Sequence, residues 1–420
     1  MKLTLNNIGK IENAVIELNG ITVIAGENNT GKSTVGKALY SVINSCNNYK
    51  KLIYDTRIIS INNLLSIIGK RIDETHSRNK IFSAKDILNN SQKYISDTLL
   101  LETYIKDCVK NHTGYDSRIL DNDIADIAKR IVQLLKVSDS DILKRIVLYY
   151  FSKEFNGQIN NIYTNDTASI EFDTNIGKIA MNFNESTVTN IEGVYEPSEK
   201  TVYIDNPFVL DEGKPMFVIS NAYGVNHKDD LIAKIHTNLE NVDILNDIVV
   251  ENKLNNVYKL INRVCAGDVV KNEQNASYGY KIANSDKVLN VKNLSTGLKT
   301  FAIIKTLLKN GTLNEKSVLI LDEPEIHLHP QWQMMFAELI VLIQKEFNMR
   351  ILLNTHSPYF MKAIEVYTAK YAIADKCRYY LSYMNGDISQ IRDVTENTED
   401  IYKLLARPLQ ELENVRYNNE

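Results

Sequence analysis

Cysteine is scarce and scattered in this chain. Its four residues, Cys46, Cys108, Cys265 and Cys377, form no CxxC pair, which argues against a zinc ribbon, a redox motif or a disulfide framework and points to a reducing cytosol. Long apolar runs are missing too. No segment reaches the roughly 18 to 20 residues that a membrane-spanning helix requires, and the opening MKLTLNNIGK lacks the apolar core of a signal peptide. A soluble, cytoplasmic protein with no membrane partner is therefore expected. Nor is there an excess of positive charge: Lys plus Arg number 48 against 52 Asp plus Glu, a formal net charge of −4. That balance gives no overall basic field for a phosphate backbone, so any binding to DNA rests on a local patch.

At 420 residues the chain can bury a substantial core in one large α/β domain or two. Its first thirty residues alternate in LTL, AVIEL and the apolar ITVIAG, which predicts short strands before the Gly-rich turn and helix of GENNTGKSTVGKALYSVINS. From about residue 50 to 155 apolar residues recur at helical spacing, but no heptad pattern is sustained long enough for a coiled coil. Between 157 and 205, NNIYT, ASIEFD, KIAMNF and TVYID read as antiparallel strands. A second helical stretch follows, and then a strand pair (SYGYKI, KVLNV), a helix, the apolar strand SVLIL, another helix and the apolar strand RILLNT. Continuously apolar strands alternating with helices indicate a buried parallel sheet. The expected organisation is a discontinuous head over 1–50 and 157–420, a helical insertion over 51–156, and a helical subdomain over 222–265 within the head.

GENNTGKST, residues 26–34, has the spacing G-x-x-x-x-G-K-[ST] and stands between a strand and a helix, the setting a P-loop needs. Gly26 and Gly31 permit the tight turn that aims the N–H groups of Glu27, Asn28, Asn29 and Thr30 at phosphates, and the helix N-terminus adds its dipole. Lys32 is expected to reach the β- and γ-phosphates, Ser33 to ligate Mg²⁺, and Thr34 to cap or pack below them. ATP and Mg²⁺ are the expected cofactors. SVLILDEPE, residues 317–325, is an apolar strand ending in two acids. Asp322 at its tip suits Mg²⁺ held through water, Glu323 suits polarising an attacking water, and Pro324 ends the strand. In NLSTGLKTFAIIKTLL, residues 293–308, Ser295 and Gly297 open a strong helix; taken alone they read as a Ser N-cap and a permissive glycine.

The order of P-loop, LSTG helix and strand ending in DE resembles the ABC-type ATPase heads. That resemblance implies an α/β P-loop NTPase fold with a mixed sheet, an antiparallel β lobe and a helical insertion. It implies a head-to-tail homodimer around two ATP and Mg²⁺, in which Ser295 and Gly297 of one subunit complete the other's ATP site. His356 in RILLNTHSPYF stands where the family has its switch histidine, and hydrolysis would use water held near Glu323 with Lys32 stabilising charge. DEPEIHLHPQWQ followed by THSPYF looks like the SMC-related prokaryotic ATPases grouped with the RecF, OLD and PtuA-like proteins. The stretch after His356 is expected to finish the ATPase sheet, with no nuclease domain of its own.

By analogy with that group, the chain is expected to act as an ATP-driven sensor or scaffold in bacterial antiphage defence, with a nuclease or toxin as a separately encoded effector. A RecF-like ATP-dependent clamp on DNA and a non-hydrolysing nucleotide switch are the rival readings. The family's glutamine loop is hard to place, and Asp205 and Asn206 in TVYIDNPFVLDE are its weak counterparts.

LDEPEIHLHPQWQ, residues 321–333, gathers acids and two alternate histidines like a metal cluster. Pro324 and Pro330 instead put His327 and His329 in a turn before a helix, and no CxxC or second histidine pair supplies the remaining zinc ligands. In the resembled family this segment runs along the dimer interface, so Glu325, His327 and His329 are expected to link the two ATP sites.

Overall fold

The protein is described by a computed structural model over residues 1–72, 81–113, 120–164, 166–193, 197, 199–212, 225–237, 254–271 and 278–417. It divides into two units, one comprising Met1–Asn47, Val147–Ser220 and Gly224–Glu420, the other centred on Asn48–Ile146. The chain enters the first unit through β1 (Lys2–Ile8), β2 (Ile11–Glu17), β3 (Ile21–Gly26) and α1 (Lys32–Cys46).

The second unit is helical: α2 (Tyr49–Ile72), α3 (Ala84–Asn89), α4 (Ser91–Ser96), α5 (Thr98–Thr113) and α6 (Asp121–Lys136). In α6 the buried positions Ile124, Ile127, Ala128, Ile131, Val132 and Leu135 follow the three-and-four spacing of one helical face. They share a core with Ile61, Leu65, Leu101 and Ile105. Arg57 donates to Leu134 O at 3.1 Å and Val137 O at 2.7 Å, satisfying carbonyls that the end of α6 leaves unpaired, and it pairs with Asp139 at 2.7 Å.

After α7 (Asp139–Phe155), whose last turns belong to the first unit, come β4 (Ala168–Thr174), β5 (Gly177–Asn184), β6 (Thr187–Gly193) and β7 (Lys200–Ile204). α8 (His227–Ile235) and a helical stretch over 254–261 (α9) lie within the expected 222–265 subdomain, of which 238–253 falls outside the described residues. A small antiparallel sheet of β8 (Asp268–Lys271), β9 (Tyr278–Lys281) and β10 (Val288–Asn290) follows. The remaining elements are α10 (Thr296–Lys309), β11 (Ser317–Asp322), α11 (Pro330–Phe347), β12 (Arg350–Thr355), α12 (Pro358–Lys370), β13 (Cys377–Asn385), β14 (Ile388–Asp393) and α13 (Glu399–Tyr417).

Among the described residues, eleven strands form one mixed sheet in the order β6-β5-β4-β1-β2-β14-β13-β3-β12-β11-β7. The strands from β6 to β2 are antiparallel neighbours, and those from β13 to β7 are parallel. The halves join through the parallel pairing of β14 with β2, only two residue pairs long and irregular between them. Two expectations fail here: NNIYT, read as a strand, makes only an isolated bridge of Asn160 with Ile8. TVYID was read with the antiparallel strands, yet β7 runs parallel to β11. Thr201 to Ile204 are all buried, which is the pattern of a strand covered on both faces and not of a half-solvated one.

The core of the parallel half packs Leu319, Leu321 and Leu353 against α10, α11 and α12, whose Phe301, Phe336 and Phe360 contact in sequence at 5.3 and 6.2 Å between ring centroids. No described helix is long and apolar enough to cross a membrane.

Candidate active site

β3, β11 and β12 are adjacent parallel strands, so their C-terminal ends bring residues 26–34, Asp322–Glu323 and His356 to the same edge of the sheet. Crevices outside the carboxyl ends of parallel strands are where open α/β sheets bind ligands. Gly26 ends β3 so close to β13 that a Cβ there would fall 2.1 Å from Ser382 O. Gly31, at φ 86°, caps α1 in the left-handed region that side chains avoid. Between them, Thr30 O accepts hydrogen bonds from the hydroxyls of Ser382 and Ser389, and Asn29 Oδ1 accepts one from Lys10 Nζ at 2.9 Å. The loop is thereby held from below. Glu27, Asn28 and Asn29 are exposed, Ser33 and Thr34 half-buried, and Thr34 packs beside Gly9.

Lys32 is only 4% exposed, and its ammonium turns back onto the loop. It donates to Gly26 O at 3.1 Å and Glu27 O at 2.7 Å, and lies 3.3 Å from Glu323 Oε1. Glu323 has φ 47°, a strained value for a residue with a side chain. Its N–H donates to Asn354 O at 3.0 Å, which holds that turn at the strand end. His356 Nδ1 is 3.4 Å from the same Oε1, an ion-pair distance and not a tight hydrogen bond. The neighbouring His356, joined by Lys32 and opposed by burial, holds the Glu323 carboxyl below the usual range; Glu323 in turn raises His356.

Asp322 is fixed on both oxygens. Asn354 Nδ2, its partner in the β11–β12 register, donates to Oδ1 at 2.9 Å, and the Tyr203 hydroxyl donates to Oδ2 at 3.1 Å. Asn354 Nδ2 also reaches Lys32 O at 3.1 Å, tying Asp322 to the backbone one residue before Ser33. A cavity of about 350 Å³ opens over these groups, walled by residues 29–34, Glu323, Gly9, Lys10 and the segment from Gln158 to Tyr163.

Ser295 and Gly297 lie apart from this centre. With Thr296, His327, His329 and Trp332 they line a second cavity of about 260 Å³ that shares no lining residue with the first. Ser295 caps α10 by accepting from Leu298 N at 3.4 Å, and a Cβ on Gly297 would sit 3.0 Å from the Trp332 ring. His329 caps α11, with Pro330 in its first turn. Among the described residues, no group of three or more His, Cys, Asp and Glu side chains has the geometry to hold a metal ion.

Glu325, expected with His327 and His329 to link the two ATP sites, points into the subunit's own interior. It is 2% exposed and accepts hydrogen bonds from the Thr355 hydroxyl and, at 3.0 Å, from His356 N–H, so it braces the His356 backbone from beneath. Burial pushes its carboxyl up, and those hydrogen bonds oppose the rise. Asn206 is committed to capping the 3-10 turn Pro207–Asp211, and Asp205 pairs with His227 Nε2 at 3.0 Å.

The AAA ATPase domain family matches residues 1–361. The chain belongs to that family. Among solved structures this AAA ATPase is similar to the SMC head domain from Thermotoga maritima, at 12% identity over 94% of this chain and 98% of that one with a TM-score of 0.38. It is also similar to an Smc head bound to the C-winged helix domain of ScpA, at 12% identity over 95% and 98% with a TM-score of 0.43. In this AAA ATPase the side chains around Asp322 that sequence reasoning passed over are Asn354 and Tyr203, and under the loop Ser382 and Ser389. A polar residue at the end of an apolar strand, as in RILLNT, was the available signal for Asn354. For Tyr203 there was none, because its role depends on β7 standing beside β11.

Proposed function

We propose that the chain hydrolyses ATP as an ABC-type ATPase and works as a head-to-tail homodimer. One observation carries this reading: Lys32 from the first strand-helix turn and His356 from a distant strand end both meet the single carboxylate oxygen Glu323 Oε1, at 3.3 and 3.4 Å. The residues fit a triphosphate, since the turn at Gly31 opens a cradle of N–H groups at the start of α1 and Lys32 is the cation within it. Ser33 and Asp322 would hold Mg²⁺, which supplies charge neutralisation at the phosphates.

A carboxylate held below its usual range by a histidine and a lysine is a weaker proton acceptor than a free one. When Lys32 leaves Glu323 for a phosphate, the lysine's share of that depression is lifted and Glu323 becomes a better base, while the share from His356 stays. His356 then remains as its orienting partner, and the water to be activated lies between Glu323 and the phosphate end of the cavity. Exposed Ser295 and buried Gly297, which line the separate second cavity, serve the site of a second copy. The helical unit built on Asn48–Ile146 is assigned to coupling with a separate effector, the sensor or scaffold role found in antiphage systems of the resembled group.

Phosphate release from Mg·ATP by the purified chain tests the enzymatic part. Glu323→Gln should bind ATP, lose turnover and accumulate as an ATP-bound dimer in light scattering. Unchanged turnover in that variant would sink the assignment. Recovery of a nuclease-like or toxin-like protein with the tagged chain tests the effector role, and repeated recovery of the chain alone would count against it.

A further inference from the structure

Behind Asp322 lies a partly buried polar cluster that the proposed reaction does not use. His227, the first residue of α8, is bound on both ring nitrogens. Its Nδ1 is 2.6 Å from Glu154 Oε2, its Nε2 is 3.0 Å from Asp205 Oδ2, and its backbone N–H donates to Glu154 Oε1 at 2.8 Å. A carboxylate on each ring nitrogen makes both nitrogens donors, so the ring is an imidazolium. Burial alone would lower its pKa, but the hydrogen bonds to Asp205 and Glu154 outweigh burial and raise it to about 9. Glu154 is only 3% exposed. A buried charge pair of this kind is expensive in solvation and is weak as a device for stability alone.

The imidazolium lies on the face of Tyr203, with centroids 4.4 Å apart and planes 26° from parallel, and Tyr40 meets it edge-on at 6.1 Å. On the other side Gly36 of α1 leaves just enough room: a Cβ there would stand 3.1 Å from the Tyr203 hydroxyl. Clamped between these neighbours, the hydroxyl has one carboxylate to serve, Asp322 Oδ2 at 3.1 Å. A cation on a phenol face draws density from the ring and strengthens its hydroxyl as a donor.

We propose that Tyr203, held in place by His227, is a positioning residue that fixes the Asp322 carboxylate for a divalent cation. This rests on the reading of Asp322 as part of an ATP and Mg²⁺ site. Hydrogen-bond partners behind a metal-binding carboxylate orient it, and losing one costs about 10- to 100-fold in metal affinity. The clamp also joins the end of α7, the turn after β7 and the start of α8 to the tip of β11, so these elements share one anchor.

The test uses the full chain with Mn²⁺ as a spin probe, read by electron paramagnetic resonance in the presence of ATP, alongside ATP binding in a metal chelator. Tyr203→Phe keeps the ring and its stacking and removes only the hydroxyl. It should weaken Mn²⁺ uptake by about tenfold and leave metal-free ATP binding within about twofold and the melting curve intact. His227→Gln should shift Mn²⁺ uptake in the same direction, and the double variant should be no worse than the weaker single, because both act through one contact. A Mn²⁺ curve for Tyr203→Phe that overlays the parent's, or effects that multiply in the double variant, would overturn the positioning role and leave the ATP site standing. A parent chain that takes up neither ATP nor Mn²⁺ would overturn both.

Discussion

The two cavities of the first unit differ in how completely their walls are furnished. In and beside the P-loop cavity the polar groups already have partners: Lys32 has two loop carbonyls and Glu323, neighbouring Asp322 has Asn354 and Tyr203, and Thr30 O has two serine hydroxyls beneath it. The cavity at Ser295 is sparse by comparison. Ser295 and His329 each accept one long bond of 3.4 Å from their own helix, and exposed His327 has an edge contact with Phe208 at 5.9 Å. Asp322, held on both oxygens, needs no rearrangement when charge arrives, which suits a centre for chemistry. An exposed helix start with few fixed neighbours suits a surface completed by a second body.

The largest expected break in this contrast is Lys32→Ala, which should abolish ATP binding and turnover together in titration and phosphate-release assays. Glu323→Gln comes next, with turnover reduced on the order of 10³-fold and ATP binding retained. Ser295→Arg sharpens the comparison from the other side. Turnover should fall roughly 10²-fold through lost assembly, while ATP affinity measured at concentrations where the chain is monomeric stays within about twofold of the parent's. If both affinity and turnover collapse in that variant, the two cavities belong to one subunit's site and the contrast is wrong.

The smallest effect lies behind the first cavity and is read by pH. The folded His227 pKa is raised from 6.5 to about 9. Its contribution is therefore fully present below about pH 6.5 and lost as pH rises through about 9. His227→Gln should flatten the parent's fall in melting temperature across that interval by on the order of 2 °C, with Glu154 and Asp205 as the carboxylates responsible.

The P-loop, the DE strand end and the position of His356 were legible because each is a short run whose chemistry and flanking elements sit side by side in the chain. The parallel strands were legible from their unbroken apolar character. β7 was misread because its one difference from the antiparallel strands, burial on both faces, comes from neighbours far away in sequence. The partners of Glu325 were not legible for the same reason, because Thr355 and the His356 backbone close over it only in the fold. Tyr203 and His227 carry no motif at all. Their meeting depends on the sheet order and on where α8 begins.

The short ladder between β14 and β2 gives the sheet a seam. Its two halves are longer ladders, but they are stitched by Ser389 opposite Ile11 and Gln390 opposite Asn13, with a slip between them. Ser389 N also donates to Lys10 O at 2.8 Å, and the side chains of these same two residues reach up to Thr30 and Asn29 of the P-loop. The loop thus acts as a latch laid across the seam. The loop and the join below it therefore share Lys10 and Ser389 as common supports.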